Sequence, residues 1–502
     1  MASTLKQHNS KKGLLSRLFS ADHRHIGSCY MGFAIIAGLV GALFSLILRF
    51  ELDGYNAHIL SGFLSIIQTG ADKSLLLSML SIGHALIMIF FMMIPALIGG
   101  FANWMVPYLI GSEDVAFPKL NRFAFWLLVP ALFLLVGSIF FEPSQQFFMV
   151  MASIHISVVS LLLSFINFIA TIITMRKPEM SLIKMPIFVW SVLVASFLGL
   201  MCLPILLATT LMPAVVAQSS VENFSAENLP VLVWFLMHPE SYVLLLPAFG
   251  IISQIIATFA CRPLFAERGV IAAMLIIGFS GFIIWAENVF ALSNSAAIIK
   301  YFTYALPLIG LPICFILLSW VVTLCSARLK FETPLLWAIG GVAITLFGAL
   351  SAIHLFLSGF MFSETLKATF VGHFHYVVSL SVVFAIFAGW YYWFPKISGF
   401  TIRRLTGSIH FFMMFIAVNM IFLPQYLGHS SNVGKNASQL VETFSNWNII
   451  SIAGVWLAIL SLVVFIYGIV ETFIRKQKAY NNPWGEGATT LEWQLSSPPL
   501  HA

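Results

Sequence analysis

The chain has 502 residues, of which 60% are hydrophobic and only 9% are charged, with a formal net charge of +6. That balance excludes a soluble globular domain, and equally a disordered chain. The positive charge falls between apolar stretches and reads as a topology signal, so no nucleic-acid partner is expected.

The first segment, Met1 to Arg24, is basic and polar. It lacks the short apolar core and small-residue cleavage site of an exported leader, so the first apolar stretch is expected to be a true membrane helix. Stretches of about 20 apolar residues span a bilayer. Twelve are predicted, at 26–51, 76–107, 123–141, 147–175, 186–216, 229–260, 269–292, 301–325, 334–357, 368–395, 407–427 and 448–474. The expected fold is an all-α integral membrane protein of twelve transmembrane helices. Residues 1–25 form a cytoplasmic N-terminal segment, 26–476 the membrane domain and 477–502 a cytoplasmic C-terminal tail. An even count of spans puts both termini on one side. Of the 25 Lys and Arg, all but Arg49, Lys73, Lys300, Lys367 and Lys435 fall on that side, which the positive-inside rule makes cytoplasmic.

Cys29, Cys202, Cys261, Cys314 and Cys325 show no paired spacing and are expected to serve packing. The aromatic run Trp390, Tyr391, Tyr392 and Trp393 reads as a belt at the membrane interface, and Met92, Met93 and Met105 as packing.

Polar residues at membrane depth carry the chemistry, because they are expensive there. The second span holds His84 between small neighbours that leave room for a flat macrocycle; a hydrogen-bonded packing histidine is the alternative. The sixth span opens on His238-Pro239-Glu240-Ser241-Tyr242. Proline kinks the helix there. His238 and Tyr242 share a face, so a tyrosine could pass an electron and a proton beside a metal-binding imidazole, while Glu240 points elsewhere and could relay protons. The tenth span carries Gly372-His373-Phe374-His375-Tyr376. Two helical residues at i and i+2 point about 200° apart. His373 and His375 therefore serve different partners, which suits a helix wedged between two planar cofactors; imidazole is the usual axial ligand of heme iron.

These blocks, with Ala21 to Arg24, Ile87 to Ala96, Gly99 to Pro107, Ala116 to Pro118, Leu246 to Ser253, Ala385 to Gly389, Tyr391 to Pro395, Asn482 to Gly485 and Thr490 to Trp493, run in order from end to end. The chain resembles subunit I of the heme-copper terminal oxidases, closest to the cytochrome c oxidase branch. The resemblance implies two hemes: His84 and His375 as axial ligands of a low-spin heme, His373 as the proximal ligand of a high-spin heme, Phe374 on the electron path between them, and Arg49 in contact with the low-spin heme. It implies His238 as one copper ligand and Tyr242 as the redox tyrosine cross-linked to it. Asp114 matches the entrance of a proton channel, Asn121 lies within it and Glu240 at its inner end. The resemblance further implies the inner membrane of a bacterium or mitochondrion, partner subunits II and III, and an electron donor such as cytochrome c. His155 and His410 match helical positions with structural hydrogen bonds, and His354 has no assignment.

The departures are concentrated. The family's two adjacent copper-binding histidines fall on Glu287 and Asn288, the lysine of its second proton channel on Ile316, its outer His-Asp pair on Thr365 and Leu366, and its propionate arginines on Lys435 and Asn436. The outer loop 218–228 lacks the family's Gly-rich, Asp-containing sequence. One imidazole, one carboxylate and one amide make a poor copper site. The preferred reading is a diverged heme-binding form whose copper site is impaired or lost. The alternative is a working proton-pumping oxidase with a remodelled non-heme metal, in which His238 and Glu287 hold iron or manganese.

Overall fold

The computed structural model describes residues 19–52, 73–216, 229–289, 306–357, 367–430 and 437–499. Within them twelve helices are long and apolar enough to cross a membrane, and they coincide with the twelve expected spans. They are α1 (His23–Leu52), α2 (73–110), α3 (Pro118–Gly137), α4 (Pro143–Thr174), α5 (Ile187–Val216) and α6 (Leu229–Ala260). Then come α7 (Glu267–Val289), α8 (Leu311–Cys325), α9 (Thr333–Leu357), α10 (367–398), α11 (Arg404–Ser430) and α12 (Ala437–Arg475). In lipid every backbone amide must find its partner within its own segment, which leaves the helix as the economical answer for such apolar runs.

Sequence neighbours pair: α3 lies along α4, α5 along α6 and α11 along α12, while α9 packs against α10. The most buried crossing span is α6, followed by α2. Where α1 meets α2 the helices approach closely at Gly99; an added Cβ would lie 2.2 Å from the Tyr30 ring. Small residues allow this kind of approach in membranes.

Helices α2 and α10 contain stretches that wind wider than an α-helix. In α2, Ile87–Met93 and Pro95–Ala102 are π-helical, and in α10 so is His375–Leu380. Pro95 removes a backbone donor in the first case. In the second the Ser381 hydroxyl donates to the Tyr376 carbonyl at 2.9 Å. Such turns cluster at functional sites.

The C-terminal segment docks on the bundle. Gly399, at φ 76°, turns the chain out of α10, and its carbonyl accepts from the amide of Ala479 at 2.8 Å. Lys396, fully buried, donates to the carbonyls of Asn481, Leu495 and Ser496 at 2.9, 2.7 and 3.2 Å. The Trp390–Trp393 run departs from the expected interfacial belt: Tyr391, Tyr392 and Trp393 are buried, and the indole of Trp484 donates to the Tyr392 carbonyl at 3.1 Å. The docked tail covers Tyr392 and Trp393, while Trp337 of α9, His410 of α11 and Phe465 of α12 enclose Tyr391. None of the five cysteines is in a disulfide; Cys202 is buried as expected of packing, but Cys261, Cys314 and Cys325 are exposed.

Candidate functional site

His84 and His375 lie on different helices, near enough to act on one another electrostatically. His84 donates Nδ1–H to the Gly41 carbonyl of α1 at 2.8 Å, and His375 to the Val371 carbonyl one turn back at 2.7 Å. A carbonyl can only accept, so both rings carry the proton on Nδ1 and direct the Nε2 lone pair outward. A bond one turn back is weak evidence alone, since His155 makes the same bond to Met151 at 2.6 Å. The bond from His84 reaches across to another helix and fixes ring orientation, the arrangement typical of iron-binding imidazole.

Around His375 the site is aromatic and cationic. The Phe422 ring of α11 stacks on His375 at 4.2 Å between centroids, and Arg49 of α1 lies 5.8 Å over Phe422. With its oxygen turned toward Arg49, the Gln425 amide accepts from both guanidinium nitrogens at 3.2 and 2.8 Å. Phe374 meets the His375 ring edge-on at 6.2 Å. His375 is surrounded by protein, yet part of its surface remains accessible, as for a ring that faces an internal cleft.

His373 faces the opposite neighbour. It lines an apolar cavity of about 340 Å³ formed by α6, α8, α9 and α10, with Leu245, Phe249, Pro307, Cys314 and Thr345 among its walls. Ser351 of α9 stands 2.7 Å from His373 Nδ1. The serine spends its own proton on the Gly348 carbonyl at 2.7 Å, so its oxygen accepts and His373 is the Nδ1–H tautomer. An apolar cavity with one oriented imidazole fits a flat, largely apolar metal macrocycle. The residues at both histidine clusters therefore fit a heme.

Tyr242 is buried beside Gly281 of α7, where an added Cβ would lie 2.8 Å from its ring. The side chains of His238, Glu240, Glu287 and Asn288, and the whole of Thr365, Leu366, Lys435, Asn436 and 218–228, lie outside the described residues. Ile316 is fully buried in α8.

Asp114 sits in the α2–α3 connection, close enough to His23 to interact with it. Its Oδ1 accepts from the Val115 amide at 2.7 Å, and burial raises its pKa above the ordinary carboxylate value. Asp22, also part-buried, behaves oppositely: burial alone would raise it, but two bonds from the Arg24 guanidinium, at 3.0 and 2.6 Å, hold it well below. Asn167 and Thr171 of α4 hold the amides of Phe117 and Ala116 at 2.8 and 2.9 Å. Asn121 donates to Asn103 at 2.6 Å, and the Asn103 carbonyl accepts from His23 at 2.7 Å. His410, buried in the helical core, bonds Tyr391 at 2.9 Å, and His354, exposed on α9, bonds Tyr426 at 2.6 Å.

Ser351, Phe422, Gln425 and the Gly41 carbonyl escaped the sequence reading. Each comes from a helix remote in sequence, and none belongs to a residue type that marks a ligand; only the i−3 spacing of Ser351 to His354 hinted at a polar face on α9.

A family model described as Cytochrome C and Quinol oxidase polypeptide I matches residues 25–482. Cytochrome c oxidase subunit 1 of Cereibacter sphaeroides is 33% identical over 538 aligned positions, covering 98% of this chain and 95% of that protein. A cryo-EM structure of a heme-copper terminal oxidase dimer superposes with a TM-score of 0.64 at 15% identity, over 89% of this chain and 84% of that one, a likeness of fold. The chain thus belongs to the cytochrome c and quinol oxidase polypeptide I family, as a multi-pass membrane protein.

Proposed function

We propose that this chain is a heme-binding oxidase subunit I whose dioxygen pocket has diverged. Two hemes are held, one by His84 and His375 and one by His373. Heme supplies reversible one-electron chemistry and, where five-coordinate, a site for a diatomic ligand. The single observation that carries the reading is the shared tautomer: His84, His373 and His375 all have Nδ1 engaged, by Gly41, Ser351 and the Val371 carbonyl. The chain's own residues supply orientation and charge. Arg49 places a cation beside the low-spin site, where it lowers the cost of a heme carboxylate at membrane depth. Phe422 fixes the plane of His375. Phe374 bridges the two ligand faces.

His238 alone, with Glu287 and Asn288 in place of two imidazoles, does not fit copper, and no step is assigned to that metal. Asp114 takes up protons, Asn121 and Asn103 pass them inward, and Glu240 and Tyr242 receive them; the hydrogen-bonded amides support this order. The buried Ile316 leaves a second route without a protonatable group. The termini lie on the cytoplasmic or matrix side, and the subunit assembles with further oxidase subunits and an electron donor.

Purified protein assayed for heme and metals, with carbon monoxide added after dithionite reduction, tests this. Two hemes per chain, one binding carbon monoxide, with copper well under one per chain, is the expected result. One copper per chain with cyanide-sensitive oxidation of reduced cytochrome c overturns it. The second reading, a working oxidase with another metal, is favoured instead by one iron or manganese beyond the heme iron, because a carboxylate beside an imidazole suits those ions.

A further inference from the structure

Glu492 lies in the turn Leu491–Gln494 of the docked C-terminal segment and is fully buried. Its Oε1 accepts from Gln254 Nε2 of α6 at 3.1 Å and from the Trp393 indole of α10 at 3.4 Å. Both donors thus serve one oxygen. The other two oxygens of this pair, Glu492 Oε2 and Gln254 Oε1, are buried without a hydrogen-bond partner. Buried polar atoms are rarely left so. A carboxylate oxygen and an amide oxygen can only accept, so the ionised pair cannot satisfy itself; a single proton on Oε2 supplies the missing donor.

No neighbour supplies that donor instead. Lys396 spends its three N–H groups on the carbonyls of Asn481, Leu495 and Ser496 and lies 5.2 Å over the Trp493 ring. Tyr392 is equally committed. Thr258 gives its proton to the Gln254 main-chain carbonyl at 2.9 Å, so the Tyr392 hydroxyl, 2.9 Å away, donates to Thr258 and accepts from the Trp493 indole at 2.9 Å. The Thr490 hydroxyl and the Glu492 amide turn toward the carboxyl from within its own turn, and neither closes a hydrogen bond to Oε2. The Asn103–Ile110 part of α2 packs against the turn, and its one titratable residue, Tyr108, answers to Arg24, Asp22 and Asp114.

We propose that Glu492 is a proton-binding latch: the acid donates from Oε2 to Gln254 Oε1, closing a reciprocal acid–amide pair that fastens the C-terminal segment to α6 and loosens when the acid ionises. Burial pushes Glu492 from 4.5 up to about 7, in keeping with that pair. The sign follows. The docked tail holds a proton that the free tail releases, so docking is strongest at low pH and weakens as pH rises through this window. The docking constant falls about tenfold per pH unit, about 300-fold in all, and no further above the docked pKa.

Hydrogen exchange on the full-length protein in lipid nanodiscs reads this directly. The amides of Trp493 and Leu495, bonded to the carbonyls of Thr490 and Glu492, report on the turn. Their protection, corrected for intrinsic exchange, is expected to fall about tenfold per pH unit from about pH 5 to about pH 7. Glu492→Gln keeps a neutral partner for Gln254 and is expected to make protection independent of pH. In the unaltered protein, the infrared band of a protonated carboxyl is expected to vanish over the same range. Flat protection in the unaltered protein, an unchanged slope in Glu492→Gln, or no protonated-carboxyl band would each overturn the latch.

Discussion

Ser351→Ala is the sharpest test of how the high-spin site is held. The serine oxygen accepts the His373 Nδ1 proton at 2.7 Å while its own proton goes to Gly348. Alanine removes the acceptor and leaves a buried N–H without a partner, which costs about 1–3 kcal/mol. Loss of the partner also frees the ring to turn and weakens it as an iron ligand. At 1.4 kcal/mol per factor of ten, the cost corresponds to roughly tenfold to a hundredfold weaker retention of that heme, the range found when outer partners of metal-binding histidines are removed. The assay is transfer of heme to excess apomyoglobin, followed through the carbon monoxide spectrum of the reduced protein. The carbon monoxide-binding heme is expected to leave roughly tenfold to a hundredfold faster. The low-spin heme, whose ligands sit on Gly41 and Val371, is expected to leave at the unaltered rate. Transfer of the reactive heme at the unaltered rate in Ser351→Ala refutes the reasoning, because the bond would then have no hold on the ligand.

The remaining predictions divide the site and the scaffold. His84→Ala is expected to abolish the low-spin absorption band and spare carbon monoxide binding, whereas His373→Ala does the reverse; one variant abolishing both would show a single shared heme. Glu287→His with Asn288→His is expected to raise copper to about one per chain in metal analysis, since imidazole is the ligand copper favours; unchanged copper would mean that His238 does not face that pair. Gly99→Ala forces a methyl within 2.2 Å of Tyr30, whose ring is pinned on Phe125 at 5.0 Å, and is expected to lower unfolding stability by about 1–3 kcal/mol in a detergent thermal scan. An unchanged melting temperature would show that α1 slides freely on α2.

The spans were legible because length and hydropathy alone decide them: a run such as 448–474 has no other stable place than a membrane helix. The divergent facing of the paired histidines was legible too, since two helical residues at i and i+2 point apart and the His373 and His375 rings meet different helices, α9 and α11. What could not be read is whatever depends on a second helix. Ser351 is an ordinary serine until α9 lies against α10, and Phe422 is one of 48 phenylalanines until α11 brings it to His375. The aromatic run at 390–393 failed as a belt for the same reason: composition places such rings at an interface, and only the neighbouring helices, at Trp390 and Tyr391, and the docked tail, at Tyr392 and Trp393, enclose them. The wide turns of α2 and α10 also went unseen, because a π-helical stretch differs from an α-helical one by a single residue of winding.

That extra residue in His375–Leu380 acts as a phase adjuster. An ordinary helix turns about 100° with each residue. Deleting any one residue from 376 to 380 would let the stretch relax into regular winding with its ends still joined. The wide turn absorbs that residue, so the imidazoles above would keep their facing relative to the aromatic half below, whereas the same deletion from a regularly wound stretch would swing them by about that angle. The wide turn thus lets α10 take a one-residue change of length at these few positions without re-aiming either end, and hydropathy, span count and membrane insertion stay untouched.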